Sequence, residues 1–166
     1  MEYGNRDTVE QTLMCNYYIF NSSNAKSLDG KNIAAYSVAL ARLRKKVWPL
    51  YQRTPFRNKI SENDKCLIYI SGSSGVFTQH FISNANIKGL KISGIDKLNE
   101  DEYMTYGVPS MYLNLENIAI YKNPINIRDY VNKLAFIGNK DNWGVYMQGG
   151  VRKISNEDYN LLIDGQ

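Results

Sequence analysis

Residues 64–83 read DKCLIYISGSSGVFTQHFIS, and this stretch decides the fold. Cys66, Leu67, Ile68, Tyr69 and Ile70 follow one another without a polar break, so both alternating faces of the strand are apolar. Such a strand is covered on both sides, in a sheet packed twice or in a small closed barrel. Ser71-Gly72-Ser73-Ser74-Gly75 supplies the residues of a flexible turn, and Val76 to Ile82 is predicted as the returning strand of a hairpin. Upstream, Arg42 to Lys59 carries Arg42, Arg44, Lys45, Lys46, Arg53, Arg57 and Lys59, no acidic residue, and the aromatics Trp48, Tyr51 and Phe56. A basic, aromatic segment feeding the central hairpin of a β fold points to a surface that binds nucleic acid.

Before the hairpin, Met1 to Leu13 is polar and aperiodic and is expected to be a flexible arm, leaving 14–166 as one domain. Cys15 to Phe20 is the first strand. A helix is predicted to open at Asp29-Gly30, with Ile33, Tyr36, Leu40, Leu43 and Val47 on its apolar side, and to stop at Pro49 just past Trp48. The cations at its end suit the helix dipole as well as they suit phosphates. After the hairpin come a strand over 87–92, a polar loop over 94–110 that is longer than a connector needs, and one or two strands over 111–121. Asn126 caps a short helix, Val145 to Val151 reads as a short strand, and Ser155-Asn156-Glu157-Asp158 opens a last helix. The sum is α+β: five or six strands in a bent sheet or barrel with short helices around its ends.

Composition bounds the chemistry. The chain has 166 residues, 43% hydrophobic and 22% charged, with a net charge of only +4, so the placement of charge says more than its sum. Thirteen tyrosines suit strand faces first of all. Cys15 and Cys66 both sit in apolar runs and read as buried thiols, and His80 is the only histidine, on a strand. No metal-ligand spacing and no nucleophile–base pair stands out, so the chain is expected to bind rather than catalyse, without a cofactor. No window approaches the length of an apolar membrane span and no signal peptide is legible, so a cytoplasmic location is expected.

Four pieces, in order, resemble the EVE family of the PUA-like superfamily, which is related to YTH domains. They are Tyr17-Tyr18-Ile19-Phe20-Asn21-Ser22; Val47-Trp48 ahead of Leu67-Ile68-Tyr69-Ile70-Ser71; Met111-Tyr112-Leu113-Asn114-Leu115; and a closing run. That run is Leu134-Ala135-Phe136-Ile137-Gly138-Asn139-Lys140-Asp141-Asn142-Trp143, then Arg152-Lys153-Ile154 and Glu157-Asp158-Tyr159. It is similar to the family's "L-x-F-I-x-N-K-x-x-W … R-x-I … E-D-Y". Tyr18 stands where the family usually has Trp, and Asn63-Asp64 where it has "G-D".

The resemblance implies a PUA-like mixed β-barrel of five to six strands whose concave aromatic pocket takes a modified base flipped from its stack. The implied target is DNA of the methylated-cytosine type, with an RNA reader as the alternative. The implied setting is a modification-dependent restriction system of the McrBC type, acting with GTPase or nuclease machinery. An extruded base wants aromatic walls and a few hydrogen-bonding groups at its edge. Candidates for the base pocket are Trp48 and Tyr51 as walls, Asn21 and Ser22 at the base edge, Ser71 and Gly72 from the central strand, and Phe136 and Trp143 from the closing motif. Candidates for the nucleic-acid backbone are Arg42, Arg44, Lys45, Lys46, Arg53, Arg57 and Lys59. Against this stand a small-molecule enzyme and a purely structural domain whose aromatics are all core.

Overall fold

The computed structural model describes residues 15–27, 29–91 and 109–166. The expected arm and most of the expected 94–110 loop lie outside the described residues.

The two most apolar strands form the centre. β1 (Tyr17–Ser22) and β5 (Lys65–Ile70) run parallel, with Tyr17 opposite Lys65 and Ser22 opposite Ile70. Their alternating side chains feed two separate cores. Tyr18, Phe20, Cys66, Ile68 and Ile70 face one, and Ile19, Leu67 and Tyr69 face the other. This is the twice-covered strand that the run Cys66–Ile70 requires. β6 (His80–Lys91) and β7 (Met111–Asn126) continue the sheet on one side, ending at β4 (Val47–Leu50), while β8 (Val151–Ile154) pairs with β1 on the other. The order is β4-β7-β6-β5-β1-β8, and irregular register between β5 and β6 and between β6 and β7 bends the long strands into a curled, mixed half-barrel. A small antiparallel pair, β2 (Ala25–Lys26) and β3 (Asn32–Ile33), stands apart.

Each face of the sheet has its own cover. Helix α1 (Ala35–Lys45) lays Ala35, Val38, Ala39, Arg42 and Leu43 inward, an unbroken 3-4 helical stripe. The other face is closed by 3₁₀ turns at Ile127–Asp129 and Lys140–Met147 and by α2 (Asn156–Ile163), which buries Tyr159 and Leu162. Two buried carboxylates fasten the ends. Asp64 accepts from the Ser61 and Asn16 N–H groups at 2.9 and 3.0 Å, and Asp158 from those of Ala135 and Phe136 at 2.9 and 3.0 Å. Asn63 holds φ +73°, a left-handed conformation that glycine and asparagine adopt most readily.

Several expected boundaries move. α1 opens at Ala35, not at Asp29-Gly30, because that pair turns the β2–β3 arm; the Ala35 N–H is capped by Asn24 Oδ1 at 2.9 Å. The helix ends at Lys46 (φ +58°), so Val47-Trp48-Pro49 is strand, not helix. Pro49 is tolerated because β4 is an edge strand with one pairing partner. The returning strand starts at His80, since positive φ at Phe77 and Gln79 breaks the extended backbone before it. Residues 87–91 belong to that same strand. Residues 145–147 are helical turn, and the strand there is Val151–Ile154. Among the described residues no helix is long and apolar enough to cross a membrane.

Candidate functional site

A cavity of about 600 Å³ lies where the end of β1, the strand β4, the end of β5 and the segment running from Trp143 into β8 converge. It gathers Asn21, Trp48, Tyr51, Ser71, Gly72 and Trp143 from the expected pocket residues. Each arrives for a local reason. The pairing of β1 with β8 gives out after Phe20, two residues before β1 ends, and there the Asn21 amide donates to the carbonyls of Met147 (2.8 Å) and Gly149. The Ser71 N–H and hydroxyl both donate to the Ser22 carbonyl at 2.9 Å, which locks the end of β5 beside the end of β1. Gly72 follows at φ +109°, where a side chain would be strained, so bare backbone faces the cavity.

The closing motif delivers Trp143 through polar bonds. The Asn139 side chain caps the N–H groups of Asp141 and Asn142, Lys140 donates to the Leu134 carbonyl at 2.6 Å, and the Tyr146 hydroxyl accepts from the Asn139 N–H at 3.0 Å. Trp143 itself remains half-buried. Trp48 is different. It is 2% exposed, its ring stacks on Phe20 at 5.8 Å between centroids, and the Arg42 guanidinium lies 4.7 Å over it. It borders the cavity as part of the floor and has no open face for a ligand.

Three expected residues are placed elsewhere or in another role. Ser22 is fully buried, its hydroxyl donating to the Ala35 carbonyl at 2.7 Å, so it ties β1 to α1 and does not line the cavity. Phe136 packs under the Arg152 guanidinium at 5.7 Å and stays outside the cavity. Arg42 is 4% exposed and lines the cavity wall, so it is not a surface grip for phosphates; the helical stripe that carries Ala35, Ala39 and Leu43 inward takes it too. Arg44, Lys45, Lys46, Arg53 and Lys59 are exposed and Arg57 is half-buried. Arg53 stands between Tyr51 and Thr54, both of which line the cavity.

Sequence reading missed Tyr69, Gln79 and the Met147–Gly150 stretch, which also line it. Gly149-Gly150 was the available signal, since paired glycines mark close backbone approach; Gln79 offered none. The cavity walls carry no carboxylate, imidazole or thiol among the described residues. Burial pushes the Tyr69 phenol up, so it stays neutral, and burial raises the Cys66 thiol, away from the thiolate that chemistry would need. An apolar, aromatic space with a cation and a few amides can hold a flat ligand by its faces and edge.

No family model matches the sequence, and no curated protein matches it. Solved structures do match over nearly the whole chain. Human THYN1 in complex with DNA containing 5-methylcytosine is 12% identical, with a TM-score of 0.55 over 90% of this chain and 96% of that one. An ASCH protein from Zymomonas mobilis is 13% identical, TM-score 0.57, over 89% and 94%. The N-terminal domain of McrB from Staphylothermus marinus is 12% identical, TM-score 0.51, over 90% and 94%. The fold is PUA-like. At these identities the likeness concerns the fold alone, and the PUA-like architecture expected from the closing motif is the one present.

Proposed function

We propose that this chain is a nucleic-acid-binding module that accepts an extruded, modified base in the cavity beside Trp143. The observation that carries the reading is the convergence of Asn21, Trp48, Tyr51, Ser71, Gly72 and Trp143, from separated segments, on one ligand-sized space. A base is flat, apolar on its faces and polar at its edge, which is the pattern these walls answer. Arg44, Lys45, Lys46, Arg53 and Lys59 are exposed and supply the sequence-independent attraction to phosphates.

DNA bearing a methylated cytosine is the favoured ligand, because a neighbour of the same fold is seen with such DNA. A neighbouring McrB N-terminal domain supports a place in modification-dependent restriction, with a GTPase or nuclease partner performing the cleavage. The chain itself binds and does not cut. One extra methyl buried against an aromatic wall is worth on the order of 1 kcal/mol, about a fivefold preference.

The test is a binding panel of matched DNA and RNA oligonucleotides, unmodified or carrying single modified bases, read by fluorescence anisotropy at fixed salt. A preference of fivefold or more for modified DNA is expected. Preference for modified RNA would move the reading to an RNA module, and equal binding of all members would overturn base recognition altogether.

A further inference from the structure

Between β5 and β6 the chain runs through Ser71-Gly72-Ser73-Ser74-Gly75-Val76-Phe77-Thr78-Gln79, and both ends of this loop line the cavity, Ser71 and Gly72 at its start and Gln79 at its close. The tip between them is small-sided except at two positions. Val76 is 57% exposed, the most exposed large hydrophobic side chain among the described residues, and Phe77 beside it is 38% exposed. The Phe77 ring meets Tyr36 of α1 at 5.2 Å between centroids and His80 at 5.8 Å, and the rest of it faces solvent.

Folding does not ask for this pair. Phe77 holds φ +53° and Gln79 φ +63°, left-handed conformations that glycine or asparagine takes more readily than an aromatic residue. A tip of serine and glycine throughout would make the turn without leaving apolar surface in water. The tip is nevertheless fastened. The Gln79 N–H donates to the Ile70 carbonyl at 2.7 Å, and the His80 N–H to the Phe77 carbonyl at 3.2 Å. Thr78 leans back toward the cavity side, its methyl 3.8 Å from where a side chain on Gly72 would begin. Two apolar side chains are thus held in the open, on a braced loop whose own ends form part of the cavity wall.

A base extruded from a duplex leaves a gap, and the bases above and below it lose a stacking partner. Apolar side chains entering such a gap restore contact with the exposed base faces, as they do where proteins insert them between base steps. Val76 and Phe77 carry neither charge nor side-chain hydrogen-bonding group, so a phosphate gains nothing from them, whereas a bared base face does. A single strand has no such gap to fill.

We propose that the tip carrying Val76 and Phe77 enters the space that the extruded base vacates, which makes double-stranded DNA the form this module takes. The proposal rests on the cavity being a base site. Covering the two side chains with base faces offsets part of the cost of unpairing, so the tip acts on extrusion and leaves the identity of the base to the cavity.

The test separates those two steps by ligand. DNA with one central 5-methylcytosine or cytosine is offered as a duplex and as the single strand, and binding is read by fluorescence anisotropy at fixed salt. Val76→Ser with Phe77→Asn removes the apolar surface, and asparagine accepts the left-handed backbone. Val76→Ser alone, at an exposed position, takes its place if melting curves show that the pair destabilises the fold. The double variant should bind the modified duplex about tenfold more weakly and the modified single strand within about twofold of the intact protein; Val76→Ser alone should show the same asymmetry at about threefold.

Equal losses on duplex and single strand in a folded variant, or an unchanged duplex affinity, would overturn the role of the tip while leaving the base site standing. Sedimentation checks the other occupant of such a surface, a second copy of the chain: a dimer of the intact protein that Val76→Ser dissociates would make the tip a contact between copies and sink the proposal. If the intact protein binds 5-methylcytosine no better than cytosine in either form, the base-site reading fails, and the proposal falls with it.

Discussion

Trp48 and Trp143 border the same cavity, yet they belong to regions held together by different forces. Trp48 sits on the edge strand β4 inside an apolar cluster with Phe20, Leu43 and Leu50, and almost none of its surface meets solvent. Trp143 sits on a short helical segment whose shape is kept by the Asn139 cap, the Lys140–Leu134 bond and the Tyr146 hydroxyl, and it is half-exposed. The first region spends its aromatic surface on stability and so defines the cavity's depth. The second keeps aromatic surface available at the rim, which is where binding a ligand can still remove area from water. A site of this kind divides its labour between a floor that cannot move and a wall that has something left to offer.

The largest test of that division is Trp48→Ala. It should cost roughly 3–5 kcal/mol of stability, the usual penalty for emptying a buried aromatic position, and depress all binding together. Urea melts check this. A stable Trp48→Ala protein that lost only its preference for modified bases would erase the distinction between floor and rim. Trp143→Ala should do the reverse, lowering affinity for a modified oligonucleotide by about 1–3 kcal/mol, the usual worth of one base–aromatic stack, with little change in melting temperature. An unchanged affinity would remove Trp143 from the wall.

A pH series sharpens the contrast from the buried side. Burial, with a smaller contribution from Asp64, pushes the Tyr18 phenol up to about 12 from its ordinary 10, and burial raises Tyr69, Tyr121 and Tyr159 further. Above pH 10 the unfolded tyrosines ionise while the folded ones keep their protons. The folded state then binds more protons, so stability must fall as pH rises, by about 1.4 kcal/mol per pH unit for each group, until its folded pKa is passed. The buried Cys66 thiol starts the decline nearer its ordinary 9. Melting temperatures should hold level from pH 7 to 9 and drop steeply above 10; a flat profile to pH 11 would mean that these phenols are not sealed in the folded protein.

The smallest effect belongs to the exposed cations. Lys45→Gln with Lys46→Gln should weaken modified and unmodified DNA alike and flatten the slope of log affinity against log salt by about 0.7–0.9 for each phosphate that is no longer neutralised. An unchanged slope would make the end of α1 a solvated helix terminus only.

Where backbone and side-chain patterns are local, the sequence was sufficient. The unbroken run Cys66–Ile70 demands cover on both faces wherever it is placed. The Ser155 cap, whose hydroxyl accepts from the Asp158 N–H at 3.1 Å, is set by four consecutive residues, and Asn126 caps its turn through the Arg128 N–H in the same way. The closing motif carried the fold for a related reason: Asn139, Lys140 and Asp158 bond to partners within one compact unit. What tertiary structure alone decided is the use of each aromatic and each cation. Whether α1 stopped at Lys46 or ran on to Trp48 turned on one left-handed residue and on an edge of β7 waiting to pair, and that edge lies more than sixty residues downstream. The same pairing pressed Trp48 onto Phe20, beneath the Arg42 that the inward stripe of α1 carries over it, turning two candidate contacts into floor and wall. Burial is a property of what arrives from elsewhere in the chain, so no window around Trp48 or Arg42 could have held that information.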